Sequence, residues 1–233
     1  MLPRPGSLFI DGLRNCSGTA MTIIDRLASS LNRRDEVPNQ QLAVQIVDRN
    51  DEKAVEELVR NLTNKDGEIQ SDCIKVLYEV GERKPALIAR YAGEFSSLLD
   101  SENNRLVWGG MVALDQIALA NPKTIYGMLT KIVESGEKGS VITRDHAVGI
   151  LIKLASLAQY SERAIPLLIE QLKRSPTNQL PMYSENLAPI VTESNRAAFV
   201  KTLTSRLHDI EKASKRKRVE RVIAKLKSSP VQA

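Results

Sequence analysis

The sequence predicts an all-α protein, an α-solenoid in which antiparallel helix pairs stack side by side. Three observations carry that reading: a repeat of 37 residues, apolar residues at helical spacing between the breaks, and few aromatics. Hydrophobic residues make up 42% of the 233, enough for a substantial core, while aromatics at 4% leave little of what favours strands.

Residues 1–20 carry Pro3, Pro5, Gly6, Gly12 and Gly18 without helical periodicity, so they read as a disordered extension or an upstream start. They hold no continuous apolar stretch of signal-peptide length. From Met21 to residue 228 the chain reads as one helical-repeat domain of about six helix pairs, with a tail at 229–233. The first pair, roughly 22–33 and 39–49, opens with Ile23, Ile24, Leu27 and Leu31 on one helical face. First helices of later pairs follow at 51–63, 85–99, 122–135 and 160–174. Each is amphipathic, as Val55, Leu58, Val59 and Leu62 show.

The second helices hold the repeat. "IQSDCIKVLYEV" (69–80), "LVWGGMVALDQI" (106–117), "TRDHAVGILIKL" (143–154) and "LPMYSENLAPIV" (180–191) superpose at an offset of 37 with no gap. Val80, Ile117, Leu154 and Val191 coincide, as do Leu77, Leu114, Leu151 and Ala188. A small residue recurs as Cys73, Gly110, Ala147 and Ser184. Three residues before each block stand Asp66, Asn103, Ser140 and Thr177, all types that accept a backbone N–H at a helix N-cap. Pro85 and Pro122 suit the first turn of the following helix. The last pair, about 195–210 and 214–227, keeps the pattern and loses the register, as terminal repeats do.

These blocks resemble the second helix of the HEAT-repeat family, one of the armadillo-like helical repeats. Ile69, Leu106 and Thr143 stand at the family's opening position, and Arg144 at its arginine. Cys73, Gly110 and Ala147 match its small residue, and Leu77, Leu114 and Leu151 its leucine. The family's proline-bearing first helix is matched by "AIPLLIEQL", with Pro166, Leu167, Leu168 and Leu172. Gln70, Val107 and Pro181 depart from the arginine, and Thr143 and Leu180 open their blocks less regularly. The resemblance covers about residues 51–191 and implies an ARM-type fold, a right-handed superhelix of helix pairs.

At about 100° per residue, the core positions of each second helix centre near ~30° and the opposite direction lies near ~200°. That outward direction is held by Ser71, Trp108, Asp145 and Met182, flanked by Tyr78, Asp115, Ile152, Lys75 and Val112. The resemblance makes this side the concave surface. The expected partner groove is therefore an apolar wall of Trp108, Val112, Ile152, Met182 and Tyr78, with Asp115, Asp145 and Lys75 among them. Trp108, the one tryptophan, is expected beside Asp145 of the next repeat. Gly110 is expected where neighbouring helices crowd, and Gly109, on the flank, is expected to tolerate alanine.

No catalytic, metal or cofactor constellation emerges. Asp145 and His146 point about 100° apart on a helix and cannot form a dyad, so His146 reads as a partly exposed structural residue. "SGEKGS" (135–140) lacks the Walker spacing and a preceding strand, and reads as a solvated connection and a contact site. Cys16 and Cys73 form no disulfide framework, which implies a reducing, cytoplasmic setting. No run reaches the ~20 apolar residues of a membrane span.

The net charge is +5, but residues 212–227 alone hold eight Lys/Arg and one Glu, or +7, leaving −2 for the rest. Lys215, Arg216, Lys217, Arg218 and Arg221 form a candidate patch for an anionic partner on a helix whose Val219, Val222, Ile223 and Leu226 can dock as a cap. The leading functional expectation is a non-catalytic scaffold that binds a protein or peptide in the groove. The alternative is nucleic-acid binding through the last helix, since HEAT-like DNA glycosylases exist. Those proteins surround an aspartate with positive charge and several aromatics, whereas this chain offers one tryptophan and Lys75. A helical-repeat lyase acting on a chromophore has no supporting motif.

Overall fold

The computed structural model describes residues 22–228, so the expectations for residues 1–20 and for the tail at 229–233 lie outside it. Among the described residues there are twelve α-helices, linked by short loops and 3₁₀ turns, and no strand. One row consists of α1 (Val37–Arg49), α3 (Gly67–Arg83), α5 (Asn104–Ile117), α8 (Val141–Ala155), α10 (Leu180–Leu187) and α12 (Ala213–Ser228), each packed on the next. The flanking row holds α2 (Glu52–Arg60), α4 (Ala92–Ser97), α6 (Pro122–Gly127), α7 (Leu129–Lys138), α9 (Ala158–Arg174) and α11 (Glu193–Ser205). Every 37-residue block therefore supplies one helix to the first row.

The repeat positions do the packing expected of them. Leu77, Leu114 and Leu151 are fully buried, as are Val80, Ile117 and Leu154, and Cys73, Ala147 and Ser184 are buried in the small slot. Three of the four caps form: Asp66 accepts from Glu68 N, Asn103 from Arg105 N and Ser140 from Thr143 N. Thr177 does not cap α10. A turn closed by Gln179 N and Leu180 N on Pro176 O precedes that helix, and Pro181 occupies its first turn.

Several segments wind differently from their sequence pattern, and the helix expected at 122–135 is divided at Met128 into α6 and α7. Residues 22–33 form only a 3₁₀ turn, Ile24–Arg26, followed by turns in which Asn32 has φ 55°. Side chains of α1 and α3 capture the backbone there: Asn39 Oδ1 accepts from Ala28 N, and Asp72 Oδ2 from Ser29 N. A helix would have used those N–H groups internally, so long-range acceptors replaced it. Residues 85–99 alternate 3₁₀ turns with the short α4, while Ile88, Tyr91, Phe95 and Leu98 stay buried. Their spacing of three and four suits either winding. Residues 135–138 of "SGEKGS" are not a loop but the last turn of α7. Gly136 is buried against α8, where an added Cβ would stand 2.7 Å from Ala147 Cβ.

Both glycines of α5 sit in contacts. An added Cβ at Gly110 would lie 2.9 Å from the Phe95 carbonyl oxygen and 3.0 Å from Leu98 Cβ. At Gly109 it would lie 2.7 Å from Ile74 Cγ1. The flank expected to tolerate alanine is thus closed as well, because α3 lies against it. These contacts outweigh the ~1 kcal/mol that each glycine costs relative to alanine within a helix. Gly110→Ala should lower stability by about 1–3 kcal/mol, since a backbone carbonyl cannot step aside. Gly109→Ala should cost a comparable amount, because the atoms it meets, Ile74 Cγ1 and Cγ2, sit at the branch of a buried side chain. Ile74→Ala removes both and should relieve the clash, so that the double variant loses less than the sum of the two single changes. Denaturant unfolding of the single variants and of the Gly109→Ala, Ile74→Ala double variant checks both expectations.

Candidate functional site

The first row of helices is stitched across repeats by polar and aromatic contacts. Between α1 and α3, Asn39 Nδ2 donates to Asp72 at 2.7 Å, and Lys75 Nζ meets Glu36 at 2.8 Å. Between α3 and α5, the Trp108 ring lies 5.7 Å from that of Tyr78, tilted by 51°. Asp115 of α5 takes His146 Nδ1 at 2.8 Å and Lys153 Nζ at 2.9 Å from α8. Tyr183 of α10 donates to Asp145 of α8, and Arg218 of α12 holds Glu185 of α10 through two nitrogens.

These contacts change the expected groove. Val112 is only 7% exposed and Asp115 8%, so neither belongs to an open wall. The reason is Gly149 of α8, where a Cβ would stand 3.1 Å from Asp115 Oδ1. A bare backbone at that position lets α8 close over the second half of α5, and Asp115 then needs charged or hydrogen-bonding partners to be buried. His146 and Lys153 supply them, which sequence reading missed because it compared His146 only with its neighbour Asp145. The Asp145 carboxylate is engaged by Tyr183, and burial with Asp145 raises the Tyr183 phenol well above its ordinary range. Ile152 is half-buried against the core, and Met182 is 37% exposed on α10. The ring contact of Trp108 is with Tyr78 of the preceding repeat.

What remains open is a cleft of about 910 Å³ between the turns after Ile24–Arg26, α1, α3 and the start of α5. Trp108, Tyr78 and Lys75 form part of its wall, and Ser71, Asn32 and Asn103 add neutral polar groups. Of the eight groove residues expected from sequence, these first three alone line it. The cleft is more polar than the expected wall, because Val112 is buried, Ile152 lies half-buried on α8 and Met182 stands apart on α10.

Lys75 stands 4.9 Å from the Tyr78 ring centre and joins Glu79 at 2.9 Å, while Arg83 meets Glu79 at 2.7 Å. Burial opposes charge on Lys75, but Glu36, Tyr78 and Glu79 outweigh it and hold its ammonium above the usual lysine range. Burial likewise opposes charge on Glu79, and hydrogen bonds from Lys75 and Arg83 hold its carboxyl below the usual range. Burial pushes the Cys73 thiol up to about 12, which leaves it a packing residue.

The basic patch on α12 is largely committed. Lys215 Nζ donates to Asn178 at 2.7 Å, Arg216 donates twice to the Ile210 carbonyl, and Arg218 is held by Glu185. Lys217 and Arg221 are exposed. Val219, Val222, Ile223 and Leu226 are buried against the stack, so this helix packs as the last member of its row. Among the described residues, no group of three or more His, Cys, Asp or Glu is placed to hold a metal, and no helix is long and apolar enough to cross a membrane.

Two measurements check these assignments. Glu79 has a depressed carboxyl, so its contribution is present above the ordinary glutamate value and is lost as pH falls through the folded-state value. Glu79→Gln should therefore cost roughly 1 kcal/mol at neutral pH, and the difference from wild type should shrink as pH falls below the ordinary glutamate range. The raised Lys75 keeps its contribution below the ordinary lysine value, so it does not move in that window. On α12, Arg216→Glu should lower stability by about 1–2 kcal/mol by freeing a carbonyl, whereas Lys217→Glu with Arg221→Glu should change it by less than about 0.5 kcal/mol. Thermal unfolding compares the two.

No protein-family model matches the chain, and no curated protein matches it. Solved structures do. A designed armadillo repeat protein in complex with the peptide (KR)4 is similar at a TM-score of 0.63 and 14% identity, over 88% of this chain and 97% of that one. A computationally designed armadillo repeat protein for modular peptide recognition has a TM-score of 0.60 and 13% identity, over 88% and 98%. An engineered protein has 0.56 and 19%, over 89% and 98%. With the helix order and the repeat, these likenesses show that the chain has an armadillo/HEAT-like helical-repeat fold.

Proposed function

We propose that this protein is a non-catalytic interaction scaffold that holds a segment of a partner protein in the cleft between α1, α3 and α5. The observation that carries this reading is the half-buried Trp108–Tyr78 pair on the wall of a cleft of about 910 Å³. Aromatic anchors beside polar groups are the composition of binding hot spots. The cleft has room for several side chains of an extended segment. Similarity to designed armadillo proteins, one of them in complex with a peptide, supports the same reading. Nucleic-acid binding through α12 is less favoured, since Lys215, Arg216 and Arg218 already have partners within the fold.

Trp108→Ala decides between a binding and a packing role. Against a peptide selected for binding to the wild-type protein, it should lose about 2 kcal/mol or more of affinity with the unfolding midpoint nearly unchanged. A stability loss of about 3–5 kcal/mol, measured by denaturation, would instead make Trp108 a core residue and sink the reading.

A further inference from the structure

The cleft is lined by four cations and four carboxylates, so its net charge selects nothing. What differs is how far each group is already committed. Asp35 is taken by Arg33 through Nε at 2.9 Å and Nη2 at 2.8 Å. Glu36 is held by Lys75, which also meets Glu79. Both oxygens of Asp72 are used, one by Ser29 N and one by Asn39 Nδ2. Glu68 is the remaining carboxylate, and it sits in the first turn of α3, where the helix N-terminus offsets negative charge.

On the cationic side the account ends differently. Arg34 and Arg105 line the same cleft, are exposed, and have no side-chain partner among the described residues. Arg105 precedes Trp108 by three residues on α5, so guanidinium and indole lie on one helix face. A guanidinium presents a planar fork of donors that matches a carboxylate through two parallel bonds. Beside the aromatic pair, two arginines are therefore left uncommitted against the single carboxylate of Glu68.

Resting on the reading of the cleft as a binding site, we propose that its occupant is an acidic protein segment. An Asp or Glu of that segment meets Arg105 and Arg34, and a neighbouring apolar or aromatic side chain lies against Trp108 and Tyr78. Because the lining charges balance, the preference comes from paired contacts at short range rather than a long-range field, so moderate salt weakens it only in part. The peptide (KR)4 carried by the similar designed protein has the opposite charge, and this cleft should reject it.

Trp108 is the chain's one tryptophan, so its emission reports directly on the cleft. The full chain is titrated with three synthetic peptides that share a central phenylalanine and differ in Asp/Glu, Lys/Arg or Ser/Gly flanks, and with a short single-stranded oligonucleotide. The acidic peptide should shift Trp108 emission and bind about ten-fold tighter than the basic one, as one charge-assisted bidentate contact provides. Arg105→Gln should remove most of that preference, and Arg34→Glu with Arg105→Glu should invert it, with helix content retained. Equal or tighter binding of the basic or neutral peptide overturns the acidic assignment and leaves the cleft a binding site. Tighter binding of the oligonucleotide overturns it in favour of a phosphate polymer. If none of the four moves Trp108 emission, the binding-site reading falls together with the inference.

Discussion

The contact on which the arrangement depends is the approach of α5 to two neighbours at once. Gly110 meets the Phe95 carbonyl and Leu98 on the α4 side, and Gly109 meets Ile74 of α3. Two adjacent residues lie about 100° apart on a helix, so a bare pair opens two faces at the same level. The side chain immediately before them, Trp108, is left on the side that neither neighbour covers and reaches Tyr78 across the step to α3. The largest residue and the two smallest are thus parts of one device: the glycines set the depth of α5 in the stack, and that depth places the indole on the cleft wall.

A second close approach gives the row its asymmetry. Gly149 brings α8 against the far half of α5, and the carboxylate of Asp115 is enclosed with His146 and Lys153. The repeats are similar in sequence, yet the row face is open near α3 and closed between α5 and α8. A buried carboxylate is tolerable only with charged or hydrogen-bonding partners, so this step is as demanding of chemistry as the α3–α5 step is of volume. Polar links continue through Tyr183–Asp145 and Arg218–Glu185 to the final helix. Along the row each interface thus carries its own specific pair, which favours one stacking register over others.

The end of the array follows the same logic. The positive charge that dominates the last helix in sequence is divided in the structure between anchoring and exposure. Arg216 closes the loop before α12 and Arg218 ties it to α10, while Arg206 of the preceding segment donates to the carbonyls of Leu172, Lys173 and Ser175 at the end of α9. Arginine suits this work because one planar head satisfies several carbonyls that a helix end leaves without partners. Charge counted along a sequence therefore overstates what the surface offers a ligand.

The sequence by itself determined the helical class, the 37-residue unit, which residues face the core and three of the four caps, because each follows from local periodicity and backbone chemistry. It also singled out Trp108, Tyr78 and Lys75 from their direction on the helix. Only the tertiary structure decided which of the outward residues remain accessible. Partners such as Asp115 and His146, or Asp145 and Tyr183, are separated by 31 and 38 residues, close to one repeat, so the repeat length announces that such pairs exist without saying which form. The choice rests on how closely neighbouring helices approach, which is set by the side-chain volume at Gly109, Gly110 and Gly149 together with the residues facing them. Helix direction is a property of one segment, but the separation of two helices belongs to both, and that separation opened the cleft beside Trp108 and closed it over Val112.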